Sequence, residues 1–297
     1  MPDYLKKQEI ISVYPALSPP TLSASASNRA CNVLALLQSV ASHPETKNLF
    51  LRAYYTEYLY PLLNTTSNAR SFEYLRLTTL GVLGALVKVD DTEVVTSLLN
   101  SQFIPVCLQI METGNELSKT VSTFIVQKII LNEAGLQYIC ATPERFYGIA
   151  SVLASMVAEQ PQPSTRLLKQ IVRCYLRLSD DPRACSALQT HLPEVLTDGT
   201  FNSCLRVSLA LDSSAVPNST KALEDPPRRQ GQVTPIQAQL PRCVLHHILA
   251  QALQQVEAEE DPLRQGRAAG GAVDVNRHGC CNSDFTTTVQ HLSVNIG

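Results

Sequence analysis

The sequence predicts an all-α protein, a right-handed solenoid of the armadillo or HEAT type, because one pattern of long helices repeats along it. Four long segments place apolar residues at three- and four-residue spacing, which is typical of amphipathic helices. Their ranges are Ser27 to Ala41, Phe72 to Val89, Glu116 to Leu131 and Ser164 to Leu178. The polar turns that follow them begin at His43, Asp90, Asn132 and Asp180, which lie 47, 42 and 48 residues apart. Armadillo and HEAT repeats have periods of about 40 to 47 residues.

Prolines give a second, independent period. Pro61, Pro105, Pro143 and Pro193 each follow a short amphipathic stretch after a polar turn, and they lie 44, 38 and 50 residues apart. Because proline suits the first turn of a helix, each is expected to open another helix. Such stacked repeats present an extended concave surface for binding other chains and seldom form a catalytic pocket.

The first element is a short helix. Residues 3 to 14 show helical spacing, and the pattern begins at the initiator methionine. We therefore expect the last turns of a helix whose partner is absent, in a solenoid that lacks its N-terminal cap helices. Terminal repeats need a polar outer face, so a partner chain or added residues is expected to cover this end.

Stop and start signals bound the helices between the repeats. Asp90 and Asp91 end one long segment, and Asp91 or Thr92 can cap the helix that follows. Gly114 and Asn115 end the helix that begins after Pro105. Each unit leaves an apolar face open, so the units must stack to be stable.

The last third of the chain differs in composition. We expect residues 1–200 to form the repeat domain and residues 201–297 to form a divergent, mostly disordered tail, rich in Ser, Pro, Gln and charge. Within that tail, residues 240–260 predict a helix with one apolar face. Its apolar residues are Leu245, Ile248, Leu249, Leu253 and Val256. This helix either docks on the last repeat or is free, and the free form is expected.

Composition limits the classes of function. The net charge is only −2, so no global field attracts nucleic acid or an anionic membrane. The start of the chain has no signal-peptide pattern, and no apolar run reaches the roughly 18 residues of a membrane span. We therefore expect a chain of the cytosol or nucleus, without membrane contact. Five of the nine cysteines lie in helical apolar patterns and are interpreted as small buried hydrophobic residues.

Motifs for catalysis, cofactors or metals are not found. Gly81 and Gly84 lie within a long helix, where close helix packing explains them better than a phosphate loop does. His278, Cys280 and Cys281 lack a recognised zinc spacing. We expect no catalytic residues, no cofactor and no metal, although a nucleophilic arrangement that assembles only in space stays open.

Positive charge on the long helices allows two interpretations. The residues are Arg29, Arg76, Lys119, Lys128, Arg166, Lys169, Arg173 and Arg177. They can be a solvated face that complements helix dipoles. They can also form a basic groove for a peptide helix or a polyanion, in which case the chain is a nucleic-acid-binding module. Aromatic groups between them are sparse, and the chain has no tryptophan, which argues against the tryptophan ladder of nuclear-import adaptors.

Four long strings carry a resemblance to a known family. They are SNRACNVLALLQSVASHPET, FEYLRLTTLGVLGALVKVDD, IMETGNELSKTVSTFIVQKI and STRLLKQIVRCYLRLSDDPRA. From Ile10 to about Thr200 the chain resembles the cell-differentiation family of armadillo proteins, the non-enzymatic subunit of the CCR-NOT mRNA deadenylase complex.

The resemblance implies an adaptor in mRNA deadenylation, translational repression, gene silencing and mRNA decay, in the nucleus and in the cytoplasm with its mRNA-processing bodies. It implies docking on the large NOT scaffold subunit, and Ile10, Ile11 and Tyr14 are the candidate contacts. It also implies a concave groove for amphipathic helices from RNA-binding repressors. The matching groove positions are Tyr74, Gly81 and Val121, although Gly81 and Val121 can equally be core residues.

On the convex face the resemblance implies pockets for tryptophans of GW-repeat silencing proteins, with Arg145 and Arg183 at matching positions. Pro143 stands where animal members have a tyrosine. Weak nucleic-acid binding, which is ascribed to the family, is a further expectation, and homodimer formation stays open. Two departures are the missing first helices and the unrelated sequence after about Phe201, where the family has a closing helix.

Overall fold

The computed structural model describes residues 2–159, 163–193, 196, 245, 249, 250 and 253. In this part of the chain every regular element is a helix, which confirms the all-α prediction. The helices are α1 (Pro2–Ser12), α2 (Ala24–Ser42), α3 (Pro44–Arg52), α4 (Tyr55–Leu63), α5 (Arg70–Val87), α6 (Thr92–Leu99), α7 (Phe103–Thr113), α8 (Glu116–Leu131), α9 (Glu133–Cys140), α10 (Pro143–Ala158), α11 (Thr165–Leu178) and α12 (Pro182–His191). A 3₁₀ turn, Tyr14–Ala16, follows α1.

The four predicted long segments are the helices α2, α5, α8 and α11. They stack in chain order, with α2 against α5, α5 against α8 and α8 against α11. Other helices form a second layer, in which α4 packs on α5, α7 on α8 and α10 on α7 and α11. The solenoid prediction is therefore confirmed.

Polar turns begin the short helices, as their sequence predicts. The Oδ1 atom of Asp91 accepts hydrogen bonds from the backbone N–H groups of Glu93 at 2.9 Å and Val94 at 3.4 Å. Asn132 and Asp181 cap α9 and α12 in the same way. A side-chain oxygen suits this place because it pairs with amide groups that have no helical acceptor.

The same turns are joined between neighbouring repeats. Lys47 donates to the carboxylate of Asp91, and the Asn132 amide donates to Asp90 at 2.8 Å. Arg177 donates to Glu133 at 2.9 Å. Each bond crosses from one repeat to the next, so polar contacts and apolar stacking fix the same register.

The prolines follow the prediction only in part. Pro143 opens α10, and Pro105 lies in the first turn of α7. Pro61 instead lies inside α4, so the prediction that it opens a helix is wrong. Its ring removes the N–H that would bond to the carbonyl of Glu57, and Glu57 is exposed, so water can solvate that oxygen. Pro193 follows α12.

Nearly all apolar residues of the repeats belong to one continuous core. Cys31, Cys107, Cys174 and Cys185 are buried free thiols, as predicted, whereas Cys140 is only half-buried. Burial raises the pKa of the Cys107 and Cys174 thiols to about 12, which keeps them protonated. No described helix is by itself long and apolar enough to cross a membrane, and α6 and α7 reach that composition only together, across an 80° bend.

At the N-terminal end α1 packs on α2 and α4, and the expected absence of the N-terminal cap helices stays a prediction. At the other end, Leu245 and Leu249 are helical and fully buried in the core, so these residues are docked and not free. The expected domain boundary near residue 200, and most of the tail, lie outside the described residues.

Candidate functional site

The candidate groove lies along the seam between α5 and α8. Tyr74 and Gly81 are seven residues apart on α5 and share one helix face. A Cβ atom on Gly84, one turn further, would lie 3.9 Å from Cγ1 of Val121 and 3.9 Å from Cδ1 of Phe124 on α8. The structure therefore places Val121 against the face of α5 that contains Gly84, and Tyr74 and Gly81 lie on α5 itself.

Exposure divides these three residues. Tyr74 is half-buried, whereas Gly81 is buried and Val121 is only 2% exposed. The Tyr74 hydroxyl accepts a hydrogen bond from Nε of Arg70 at 2.6 Å, and the Arg70 guanidinium lies 5.0 Å from the centre of the ring. Tyr74 is therefore the most exposed of the three residues, and Gly81 and Val121 are buried.

The predicted basic groove requires correction, first at Arg76. This side chain is buried and 4% exposed. It donates to the backbone carbonyls of Thr65 at 3.1 Å and Ser67 at 2.8 Å, and it forms an ion pair with Glu73. Arg76 therefore stabilises the loop between α4 and α5 by these hydrogen bonds and is not a surface cation.

Two more of the predicted cations are paired with carboxylates. Lys119 is 8% exposed, and its Nζ atom lies 2.6 Å from Oε1 of Glu159. Arg177 bonds to both Glu133 and Asp180 at 2.9 Å. A cation that is already neutralised at this distance contributes little to the attraction of a polyanion.

The remaining predicted cations lie in varied surroundings. Lys128 is half-buried, with its Nζ atom 5.6 Å from the centre of the Phe124 ring. Lys169 and Arg173 on α11 are half-buried. Arg166 is also half-buried, and its Nε and Nη2 atoms find no hydrogen-bond partner among the described residues. Arg29, the eighth predicted cation, has its Nε atom 3.8 Å from Oε2 of Glu9. The structure therefore does not present the eight residues as one free basic strip.

A concave pocket lies at the other candidate site, between the start of α10 and α12. Its volume is about 170 Å³, comparable to the apolar cavity of about 150 Å³ that accepts benzene in another protein. The lining residues are Cys140, Ala141, Thr142, Pro143, Phe146, Tyr147, Arg183, Ala184 and Ala187. The lining is mostly apolar with one guanidinium, which suits a flat aromatic ring.

The two arginines predicted for this pocket have different places. Arg183 lines the pocket, as does Pro143. Arg145 is not part of the lining, because its guanidinium lies 3.8 Å from the centre of the Tyr138 ring and donates to the Tyr138 carbonyl at 3.1 Å. The sequence reasoning missed Tyr147, which is 43% exposed and contacts the rings of Phe146 and His191 edge to face.

The predicted scaffold contacts are mostly used within the chain. Ile10 is fully buried in the core, which removes it from any outer surface. The Tyr14 hydroxyl donates to the carbonyl of Tyr58 at 2.8 Å, and burial raises the pKa of Tyr14 to about 12. Ile11, at 41% exposed, is the one of the three that presents apolar surface.

Within the described ranges, no three His, Cys, Asp or Glu side chains are grouped so that they could hold a metal ion. His278, Cys280 and Cys281 lie outside those ranges.

Comparison with known proteins places these features in a family context. The sequence profile described as "Cell differentiation family, Rcd1-like" matches residues 7–215. Over 200 residues the chain is 60% identical to cell differentiation protein rcd1 of Schizosaccharomyces pombe, covering 67% of this chain and 71% of that protein. It is also 60% identical over 200 residues to protein CAF40 of Saccharomyces cerevisiae, covering 67% of this chain and 54% of that protein.

Proposed function

Because this chain belongs to the Rcd1-like cell differentiation family, we propose that it is a non-catalytic adaptor subunit of the CCR-NOT deadenylase complex. In this role it binds the large NOT scaffold subunit and recruits mRNA repressors, which leads to deadenylation, translational repression and mRNA decay. The high identity to the rcd1 and CAF40 proteins supports this role.

The observation that carries the recruiting role is the seam between α5 and α8. On these two helices Gly81, Gly84 and Val121 are buried, and Tyr74 is half-buried. Glycine has no side chain, so the backbone of a foreign helix can approach closely at Gly81. An amphipathic helix that lies in such a groove buries its apolar face, which is a recurring way to bind short peptides.

The pocket between α10 and α12 supports a second contact with the same class of partner. A tryptophan from a GW-repeat silencing protein would enter between Pro143 and Phe146, with the Arg183 guanidinium beside its ring. A cation near an indole face adds about 0.5 to 2 kcal/mol to binding, depending on how far the site is desolvated. The pocket and the groove lie on different elements, so a partner can use both at once.

Nucleic-acid binding is less well supported than peptide binding. Arg76, Lys119 and Arg177 already pair with carboxylates of the same chain, so the positive field along the groove is small. We therefore place the adaptor role first. The proposal locates the protein in the cytoplasm, including mRNA-processing bodies, and in the nucleus.

The experiment that tests the recruiting role compares two tryptophan substitutions. Gly81→Trp fills the seam, whereas Gly148→Trp places the same side chain on α10, where an added Cβ meets nothing within 4 Å. Tyr74→Asp is a second groove variant at a half-buried position. Each variant is expressed in cells, and the proteins that co-purify are identified by mass spectrometry.

We expect Gly81→Trp and Tyr74→Asp to lose the mRNA repressors and to retain the NOT scaffold, while Gly148→Trp retains both. Melting temperatures near that of the wild type show that the variants are folded. Repressor recovery at the wild-type level by both groove variants would refute the groove. Absence of the scaffold from the wild-type sample would refute membership of the complex.

A further inference from the structure

The C-terminal end of the solenoid has a covered face that the repeats themselves do not explain. Gly84, Val126 and Cys174 each lie six residues before a polar turn, and so hold equivalent positions on α5, α8 and α11. Position 84 faces the next long helix, because a Cβ there would contact Val121 and Phe124 of α8. The equivalent position on α11 therefore faces away from α8, where a further repeat would stack.

That outer strip of α11 is nevertheless buried. Cys174 is 0% exposed, and Gln170, one turn earlier, is 4% exposed. The helices that pack most on α11 are α8, α9 and α10, which belong to its own or the preceding repeat. No long helix follows α12 in the described part of the chain, so the cover comes from α12 or from residues that follow it.

Apolar residues with the required burial come from the tail. Leu245 and Leu249 are helical and 0% exposed, Leu196 is 6% exposed, and Leu253 packs on the same core. Leu245, Leu249 and Leu253 are four residues apart and so share one face of a helix. By contrast, Leu36 on α2 is 59% exposed.

We propose that an amphipathic helix carrying Leu245, Leu249 and Leu253 seals the C-terminal end of the solenoid in cis, by packing on the strip of α11 that contains Gln170 and Cys174. The match to the family profile covers residues 7–215, so this segment lies outside it. The seal does not depend on the proposed function. Its role is to replace the polar outer face that a terminal repeat needs.

Reactivity of the Cys174 thiol tests the seal in the full chain. Purified protein is treated with iodoacetamide under native conditions, and alkylation of Cys174 and Cys107 is followed by mass spectrometry. Cys107 lies on α7, is equally buried, and reports on opening of the whole fold. The test variant is Leu249→Asp, and the matched control is Leu36→Asp at the exposed α2 position.

An aspartate in a buried apolar site is strongly unfavourable, so Leu249→Asp should release the seal. We expect Cys174 to be alkylated about tenfold faster or more, because local opening exposes it, with Cys107 unchanged. Leu36→Asp should leave both thiols at their wild-type rates. Wild-type rates at Cys174 in both Leu249→Asp and Leu245→Asp would overturn the proposal.

Two other outcomes are also decisive. If both thiols of Leu249→Asp react faster together, Leu249→Ala is measured under the same conditions. A faster reaction at Cys174 alone in that milder variant supports the seal, and any other result overturns it. Light scattering that finds a wild-type dimer, with Cys174 reactive only after dilution to the monomer, would assign the cover to a second copy and overturn the seal in cis.

Discussion

The carboxylate of Asp91 joins two repeats and caps a helix at once. One oxygen accepts a hydrogen bond from Lys47 of the preceding repeat. The other accepts hydrogen bonds from the backbone N–H groups of Glu93 and Val94 in the first turn of α6. Lys47 and Asp91 are only 14% and 24% exposed, so water screens the pair incompletely. This relationship makes the stability of the repeat stack depend on pH.

The hydrogen bond from Lys47, followed by the bonds from the Glu93 and Val94 amides, lowers the pKa of Asp91 below its ordinary value of 3.8. A lowered pKa in the folded state gives stability that is present above pH 3.8 and is lost as the pH falls through the folded-state pKa. Asp91→Asn keeps the helix cap but removes the charge. We expect Asp91→Asn to have a lower free energy of unfolding than the wild type at pH 7. This difference should shrink as the pH falls below about 4 and then vanish.

Urea unfolding of both proteins from pH 7 down to acid measures this difference in free energy. Arg29→Met, which removes a cation that is 63% exposed, is the matched control and should show little change with pH. A difference between wild type and Asp91→Asn that stays constant through acid pH would contradict the assignment.

Two glycines should respond to alanine in opposite directions. At Gly84 an added Cβ is in ordinary contact, 3.9 Å from Val121 and Phe124, and alanine favours a helix by about 0.5 to 1 kcal/mol over glycine. At Gly135 the Cβ would lie 1.8 Å from the carbonyl oxygen of Ile129, which is backbone and cannot turn aside. Gly84→Ala should raise the melting temperature, and Gly135→Ala should lower the unfolding free energy by about 3 kcal/mol or more. The reverse order in thermal unfolding would show that α9 packs differently on the end of α8.

Arg76 should matter for stability more than for binding. Arg76→Met leaves Glu73 and two loop carbonyls without their buried partner, which costs about 2 to 4 kcal/mol. Arg29→Met again serves as the control. If Arg76→Met unfolds like the wild type and instead loses affinity for RNA in a filter-binding assay, the guanidinium belongs to a nucleic-acid surface.

Tryptophan binding to the pocket between α10 and α12 can be observed directly, because the chain contains no tryptophan. The emission of a GW-repeat peptide therefore reports on the peptide alone, and it should shift to shorter wavelength when the indole enters the pocket. Ala187→Phe fills the pocket and should abolish the shift, whereas Gln189→Phe, on the same helix but outside the lining, should preserve it. An unchanged shift with Ala187→Phe would place the tryptophan elsewhere.

Sequence reasoning located the long helices well, because apolar spacing and polar turns are local signals. The ends of α8 and α11 agree with the predicted segments to within a residue, and Asp91 caps the helix it was expected to cap. Pro61 shows the limit of a local signal, since a helix tolerates a proline where the freed carbonyl meets water.

Pairing across the fold could not be predicted in this way. Lys119 looked like a groove cation until the structure placed Glu159 beside it, 40 residues later in the chain. The burial of Val121 also depends on α5, where Gly84 has no side chain and so lets Val121 pack closely. A helical pattern at residues 240–260 predicts an apolar face but does not identify the surface that receives it.

The docked tail residues have a consequence for biosynthesis. Among the described residues, hydrogen bonds and helix stacking connect neighbouring repeats, so each repeat can consolidate as soon as its predecessor has left the ribosome. Leu245 and Leu249 are made after all the repeats. Until translation reaches them, the nascent chain carries an uncovered apolar end at α11, and this interval is when chaperones would be most needed.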